Sequence, residues 1–288
     1  MRLWPSRANH PYKEAVFIKE PVSSSGPRAI AVASGKGGVG KTSLTVNLAL
    51  CLASMNRKVT VFDADLGLAN AEVLLGILPP YSLHEVLYGN KTIEEITVRG
   101  PLGIKVISGG SGFLELANLD RTRRQNLFRM LNQFGDRDEI ILIDTGAGIN
   151  KNVLGFVAAA GEVIIVVTPE PTSLTDAYAL IKILANFKVN SQIHLVVNRA
   201  ADRREAVLTL ERISTAAGRF LDMRLNSLGW IPEDRLVSHS IKNQQPFFLG
   251  SPNSPLARSI TDIAHNLVEE RRPVLEGGFW KRLIGLFG

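Results

Sequence analysis

A three-layer α/β/α domain, a mainly parallel twisted sheet with helices on both faces, is the fold class that this 288-residue sequence predicts. Three observations lead there. Short apolar runs rich in β-branched residues alternate with longer helical segments along most of the chain. Each run is apolar throughout rather than alternating, as strands covered on both faces must be. Hydrophobic residues make up 45% and charged residues 21%, so a sizeable core can form and wholesale disorder or a fibrous repeat is excluded.

The strand candidates, in order, are 29–33, 58–62, 104–107, 140–143, 163–167, 193–197 and 227–231; the helix candidates between and after them are 41–54, 120–134, 150–160, 173–187, 202–217 and 255–270. In such a sheet, ligands bind at the carboxyl ends of the strands. The segment Ser23-Ser24-Ser25-Gly26 reads as a linker, which sets a basic, flexible leader at 1–27, one large body at 28–270 and a tail at 271–288.

The formal charge of +6 is concentrated at the two ends, because acidic and basic residues cancel within the body. Such a distribution disfavours a DNA-reading domain and suits a partner or membrane surface touched by the termini. The richest apolar run, Val163-Ile164-Ile165-Val166-Val167, lies between Glu162 and Pro169, far short of the roughly 18 residues of a span. The leader has no apolar stretch of the signal-peptide kind, so a cytoplasmic location is expected. Cys51, the single cysteine, falls in an apolar helical pattern and reads as a buried thiol. The five histidines are scattered without metal-ligand spacing.

Directly after the first strand comes Ser34-Gly35-Lys36-Gly37-Gly38-Val39-Gly40-Lys41-Thr42-Ser43. It fits both G-x-G-x-x-G, with Asp63 at the spacing of a ribose-binding acid, and G-x-x-x-x-G-K-[ST]. Gly40-Lys41-Thr42 discriminates between them. A dinucleotide site has no use for a lysine and a hydroxyl there, whereas a triphosphate needs Lys41 between its β- and γ-phosphates and Thr42 on Mg²⁺. The fold is therefore expected to be that of a P-loop NTPase, with the loop's N–H groups converging on phosphate at a helix N-terminus.

Carboxylates end two further strands. Asp63 and Asp65 follow the second, and Asp144 closes Ile140-Ile141-Leu142-Ile143, the place where a P-loop enzyme holds its metal through Thr42 and water. Gly146 and Gly148 permit a segment there that moves with the γ-phosphate. Val196-Val197-Asn198-Arg199 ends another strand, and the Asn198 amide offers the donor and acceptor that read a purine edge. No Asn-Lys-x-Asp pattern follows, which favours ATP over GTP.

Lys36 is extra to an ordinary P-loop, and with it Gly35-Lys36-Gly37-Gly38-Val39-Gly40-Lys41-Thr42 resembles the deviant P-loop of the MinD/ParA family of dimerising ATPases. The resemblance implies slow, regulatory hydrolysis of ATP to ADP, and a homodimer formed with ATP in which Lys36 crosses to the partner's phosphates. It further implies that Asp65 positions the attacking water, that Asp63 supports the Mg²⁺ shell, and that the loop of Pro232 and Asp234 lies against the adenine. Asp63-Ala64-Asp65-Leu66-Gly67-Leu68-Ala69-Asn70, Ser82-Leu83-His84-Glu85-Val86-Leu87, Gly109-Gly110-Ser111-Gly112, Asp144-Thr145-Gly146-Ala147-Gly148 and the segment from Thr168 to Tyr178 resemble the flagellar FlhG/FleN (YlxH) branch more than the division-site branch, which usually has proline at Gly146. Implied partners are a signal-recognition-type flagellar GTPase and a flagellar switch or C-ring protein. Residues 1–27, however, contain neither the Asp nor the Gln of the usual GTPase-activating segment. A division-site role, or a ParA-type partitioning or transcription-modulating role, is the alternative.

The tail carries Phe279-Trp280-Lys281-Arg282-Leu283-Ile284-Gly285-Leu286-Phe287 after Pro273, Gly277 and Gly278. On a helical wheel Phe279, Trp280, Leu283, Ile284, Leu286 and Phe287 share one arc opposite Lys281 and Arg282. That pattern predicts a helix lying on an anionic membrane surface, or else folded back on the body.

Overall fold

The computed structural model describes residues 27–65, 70–110, 140–186 and 192–270, and Phe279, Arg282 and Leu283 of the tail. The expected helix at 120–134 lies outside them. In chain order the strands are β1 (Arg28–Ala33), β2 (Val59–Ala64), β3 (Val98–Arg99), β4 (Lys105–Ser108), β5 (Ile140–Thr145), β6 (Glu162–Val167), β7 (Gln192–Ala200) and β8 (Asn226–Pro232). The helices are α1 (Lys41–Ser54), α2 (Asn70–Leu75), α3 (Leu83–Leu87), α4 (Ile93–Ile96), α5 (Lys151–Ala160), α6 (Pro171–Asn186), α7 (Arg203–Leu221), α8 (Arg235–Lys242), α9 (Phe247–Gly250) and α10 (Pro255–Glu269).

The strands form one sheet in the order β3-β4-β2-β5-β1-β6-β7-β8, parallel except for the two-residue β3, which runs antiparallel to β4. All seven expected strands are present in it. The chain leaves β1 toward β2 on one side and later returns to place β6 on the other. The crevice at the carboxyl end of β1 is therefore the switch point at which such sheets bind ligands.

Period-2 alternation divides β1 between two cores. Ala29, Ala31 and Ala33 face α5, α6 and α7; Ile30 and Val32 face α1 and α10. The first core includes an edge-to-face contact between Phe62 and Phe156, ring centres 6.0 Å apart. Helix α1 is buried continuously from Leu44 to Leu52, as a helix covered on all sides by sheet, α2 and α10 must be. Cys51 lies in that stretch, buried as expected, against Thr261.

At the amino end of the strands, away from the crevice, Arg28 makes a two-pronged ion pair with Glu162 at 2.8 and 2.7 Å and donates to the Leu267 carbonyl. His194 Nε2 lies 3.4 Å from the same carboxylate. Burial alone would raise the Glu162 pKa, but His194 and Arg28 outweigh it and the net shift is downward. This buried group ties β1, β6, β7 and α10 together.

The tail departs from the lipid-facing arrangement expected of it. Phe279 and Leu283 are 1% and 0% exposed and belong to the core beneath α5, α6 and α7. Arg282 Nε donates to the Ala159 carbonyl at 2.7 Å, in the last turn of α5. Of the six residues of the expected apolar arc, the two described ones, Phe279 and Leu283, are covered by protein in this conformation. Trp280, Ile284 and Phe287 lie outside the described residues.

Candidate functional site: the loop after β1 and its carboxylates

The first turn of α1 is set up to meet a ligand. Side chains accept from backbone N–H groups at the N-termini of α3, α4, α5, α7, α8 and α10, using Ser82, Thr92, Asn150, Asp202, Asp234 and Ser254. Helix α1 has Gly40 at that position, with no capping side chain and no acidic residue in its first turn. Its N–H groups and positive dipole end face the crevice, as anion binding requires.

The loop is braced from beneath. Ser34 Oγ donates to the Lys36 carbonyl at 2.7 Å, Asn198 Nδ2 donates to the Val39 carbonyl at 2.7 Å, and Gly148 N–H donates to the Ser34 carbonyl at 3.0 Å. Gly35 packs so closely on α6 that a Cβ there would stand 2.3 Å from the Asp176 backbone. The Gly37 and Gly38 backbone is exposed at the rim, while Val39 is buried and Ser43, half-buried, accepts from Asn47 through its carbonyl. Thr42 is half-buried one residue beyond Lys41.

Lys41 is buried, which lowers its pKa; Asp144 and Asp65 act against that shift. Asp63 and Asp144 are register neighbours on β2 and β5, and both carboxylates are buried. Asp63 accepts from three backbone N–H groups, those of Asp65 (3.1 Å), Asn70 (2.9 Å) and Ala71 (3.0 Å). Even so its pKa is pushed up to about 8, by burial first and then by the charges of Asp144 and Glu72. Burial also raises Asp144, to about 6, against the pull of Thr42, Lys41 and Thr45. Thr45 donates to the Lys41 carbonyl at 3.0 Å and reaches Asp144 Oδ1 at 3.4 Å. Asp65 is half-buried, and a Cβ added to Gly146 would lie 3.5 Å from its Oδ1, so the segments after β2 and β5 touch.

This donor set fits a divalent cation. Asp144 Oδ2 is buried without a hydrogen-bond partner among the described residues, and carboxylates outnumber the one buried ammonium. No three acidic or imidazole groups among the described residues converge closely enough to ligate an ion directly. A Mg²⁺ ion here would be held by Thr42, phosphate oxygens and water, with Asp63 and Asp144 behind the water.

Lys36 does not reach away from its own chain in this conformation. Its Nζ lies 2.5 Å from Glu170 Oε2 and 3.0 Å from Thr172 Oγ1, where α6 begins. The Glu170 pKa is lowered by Lys36 and, more weakly, by Arg199, which is exposed with a positive φ of 57°.

The residues expected against adenine make contacts within the chain. Asn198 supports the phosphate loop through Val39, and its Oδ1 accepts from the Arg199 N–H; one N–H and one lone pair remain for a base. Asp234 caps α8 by accepting from Leu236 N–H at 2.8 Å, and Pro232 ends β8 beside it.

Sequence reasoning missed Thr45, Glu72 and Glu170. Thr45 stands one turn after Lys41, and Glu72 precedes Leu75 by three on the inward face of α2, spacings that could have flagged both.

Residues 30–247 match the CobQ/CobB/MinD/ParA nucleotide binding domain. The antiactivator FleN of Pseudomonas aeruginosa is 37% identical over 240 residues, covering 83% of this chain and 86% of FleN. The flagellum site-determining protein YlxH of Helicobacter pylori is 34% identical over 293 residues, covering 94% and 96%. Among solved structures, the septum site-determining protein MinD of Pyrococcus horikoshii OT3, complexed with Mg-ADP, superposes with a TM-score of 0.66 at 26% identity, covering 84% of this chain and 96% of that one. With the family model matching residues 30–247 and a relative 37% identical over 83% of the chain, the chain belongs to the CobQ/CobB/MinD/ParA family of nucleotide-binding ATPase domains.

Proposed function

We propose that this ATPase is a switch that dimerises with ATP and Mg²⁺, associates reversibly with the inner face of the cell membrane, and controls flagellar placement or number. The uncapped N-terminus of α1, with Lys41 and Thr42 in its first turn and Asp63 and Asp144 behind, is the observation that carries the nucleotide part. The N–H groups of residues 37–43 would hold the phosphate chain and Lys41 would neutralise its terminal oxygens, a charge that Mg²⁺ would help to offset when bound. Asp65, at the mouth of the crevice, orients water for in-line attack on the γ-phosphorus. Lys36 leaves Glu170 and Thr172 to meet the partner's phosphates.

The membrane part rests on the tail. Phe279 and Leu283 are stowed under α5, which starts just beyond the Gly146–Gly148 segment that touches Asp65. A shift of that segment on ATP binding moves α5 and frees the apolar arc, two copies per dimer, so weak lipid contacts reinforce one another. The flagellar role rests on the names of the two relatives. With that role come the proposed partners, a signal-recognition-type GTPase and a flagellar switch or C-ring protein.

The test uses the full chain carrying Asp65→Ala, saturated with Mg²⁺ and ATP. Light scattering should give the mass of two chains, and the protein should sediment with anionic vesicles; with ADP, a single-chain mass and no sedimentation are expected. A single-chain mass in both states refutes the switch. Flagellar counts and positions both unchanged by deletion of the gene refute the cellular role.

A further inference from the structure

Glu72 is one of the buried side chains that lack a hydrogen-bond partner among the described residues. It lies in the first turn of α2, 2% exposed, and neither carboxylate oxygen has a hydrogen-bond partner among the described residues. A buried carboxylate ordinarily collects hydrogen bonds or a cation, because leaving it bare costs several kcal/mol. The backbone N–H groups nearest it in sequence, those of Asn70 and Ala71, are already given to Asp63. Glu72 is close enough to Asp63 that its charge raises the Asp63 pKa. Asp144 supplies one more unpartnered buried oxygen next to Asp63. Glu72, Asp63 and Asp144 thus form a run of neighbouring acidic side chains, and the outer two carry oxygens to which no described residue donates.

We infer that Glu72 is a positioning residue for the divalent cation, facing it through Asp63 and water and setting how tightly the metal–nucleotide complex is held. The inference rests on the reading of this crevice as a Mg²⁺–nucleotide site. The cation compensates the carboxylate cluster, and the cluster in turn raises the field at the cation without ligating it, as outer groups around a metal do. Because Asn70 and Ala71 hold Asp63 while Glu72 follows in the same turn, cation loading also secures α2 against the end of β2.

The test is Glu72→Gln, which keeps shape and removes charge, in the full-length protein with ADP, so that neither hydrolysis nor dimerisation enters. Free Mn²⁺ is followed by its electron paramagnetic resonance signal as protein–ADP is titrated. Wild type should take up Mn²⁺ with ADP, and Glu72→Gln should weaken that uptake at least tenfold. Unchanged Mn²⁺ affinity in Glu72→Gln, with wild type binding normally, overturns the inference and leaves the nucleotide reading intact. Failure of wild type itself to take up Mn²⁺ with ADP sinks both. Should Glu72→Gln not fold, Glu72→Asp decides: a loss of Mn²⁺ affinity supports the role, and wild-type affinity refutes it.

Discussion

Gly40 is held by two independent constraints. Its φ is +95°, a left-handed conformation in which side chains are strained, and a Cβ there would stand 2.3 Å from Asn198 Nδ2, the atom that supports the Val39 carbonyl. Gly40→Ala must therefore distort either the turn into α1 or the Asn198 brace. It is expected to weaken ADP binding about tenfold or more, taking roughly 1–3 kcal/mol for a strained backbone site, with an unchanged circular-dichroism spectrum; calorimetric titration checks this. A second prediction concerns Asp63. Its folded-state pKa, about 8, lies above the ordinary 3.8, so the folded protein keeps a proton that the unfolded chain has released. Asp63 then contributes stability to the nucleotide-free, metal-free protein that is lost as pH rises from about 4 to 8, the direction opposite to that of a salt-bridged carboxylate. Urea unfolding of wild type and Asp63→Asn should show the variant gaining stability relative to wild type across that window; a difference that does not change with pH contradicts the shift.

At the scale of elements, whether the tail is part of the body can be tested by truncation. Phe279 and Leu283 fill space in the core under α5, and large-to-small changes in a packed core cost about 2–5 kcal/mol. Phe279→Ala and Leu283→Ala should each lower the unfolding free energy of the nucleotide-free protein, read from urea denaturation, by an amount in that range, whereas a tail that only touches the surface would leave it unmoved. The same segment shows where sequence reading ends. A helical wheel tells which side of a segment is apolar, but lipid and protein interior are both apolar, so the pattern could not say what covers it. The parallel strands were legible because burial on both faces makes the whole run apolar, and β1, β5 and β6 lie close to their expected bounds. Helices α2, α3, α4 and α9 were not, because four to six residues are too few to display a 3.6-residue period. The phosphate loop was readable since its chemistry is local in sequence. Asn198 and Asp234 were only half readable, since a strand-end polar residue serves equally as brace, cap or base contact: Asn198 braces Val39, 159 residues away, while Asp234 caps the helix two residues on.

For the molecule as a whole, the decisive element is the side chain that must change partners. Lys36 is held by Glu170 and Thr172 of its own chain, at a site open to water. An exposed ion pair is held loosely, so in the proposed dimer the lysine is withdrawn to a better anion, the partner's triphosphate. On that proposal Glu170 competes with dimerisation. Weakening it should favour association, and removing the lysine should abolish it. In the Asp65→Ala background with saturating Mg²⁺ and ATP, Glu170→Gln should dimerise at lower protein concentration than its parent in analytical ultracentrifugation, provided Glu170 makes no contact of its own across the interface. Lys36→Ala should stay a single chain at every accessible concentration while binding ADP within about twofold of wild type, because its own-chain contacts are with α6 and not with the phosphate loop's anion site. That pair of outcomes separates a lysine acting across an interface from one acting in place. If Lys36→Ala lost ADP affinity in step with dimerisation, Lys36 would belong to its own chain's nucleotide and the swap of partners would have no role.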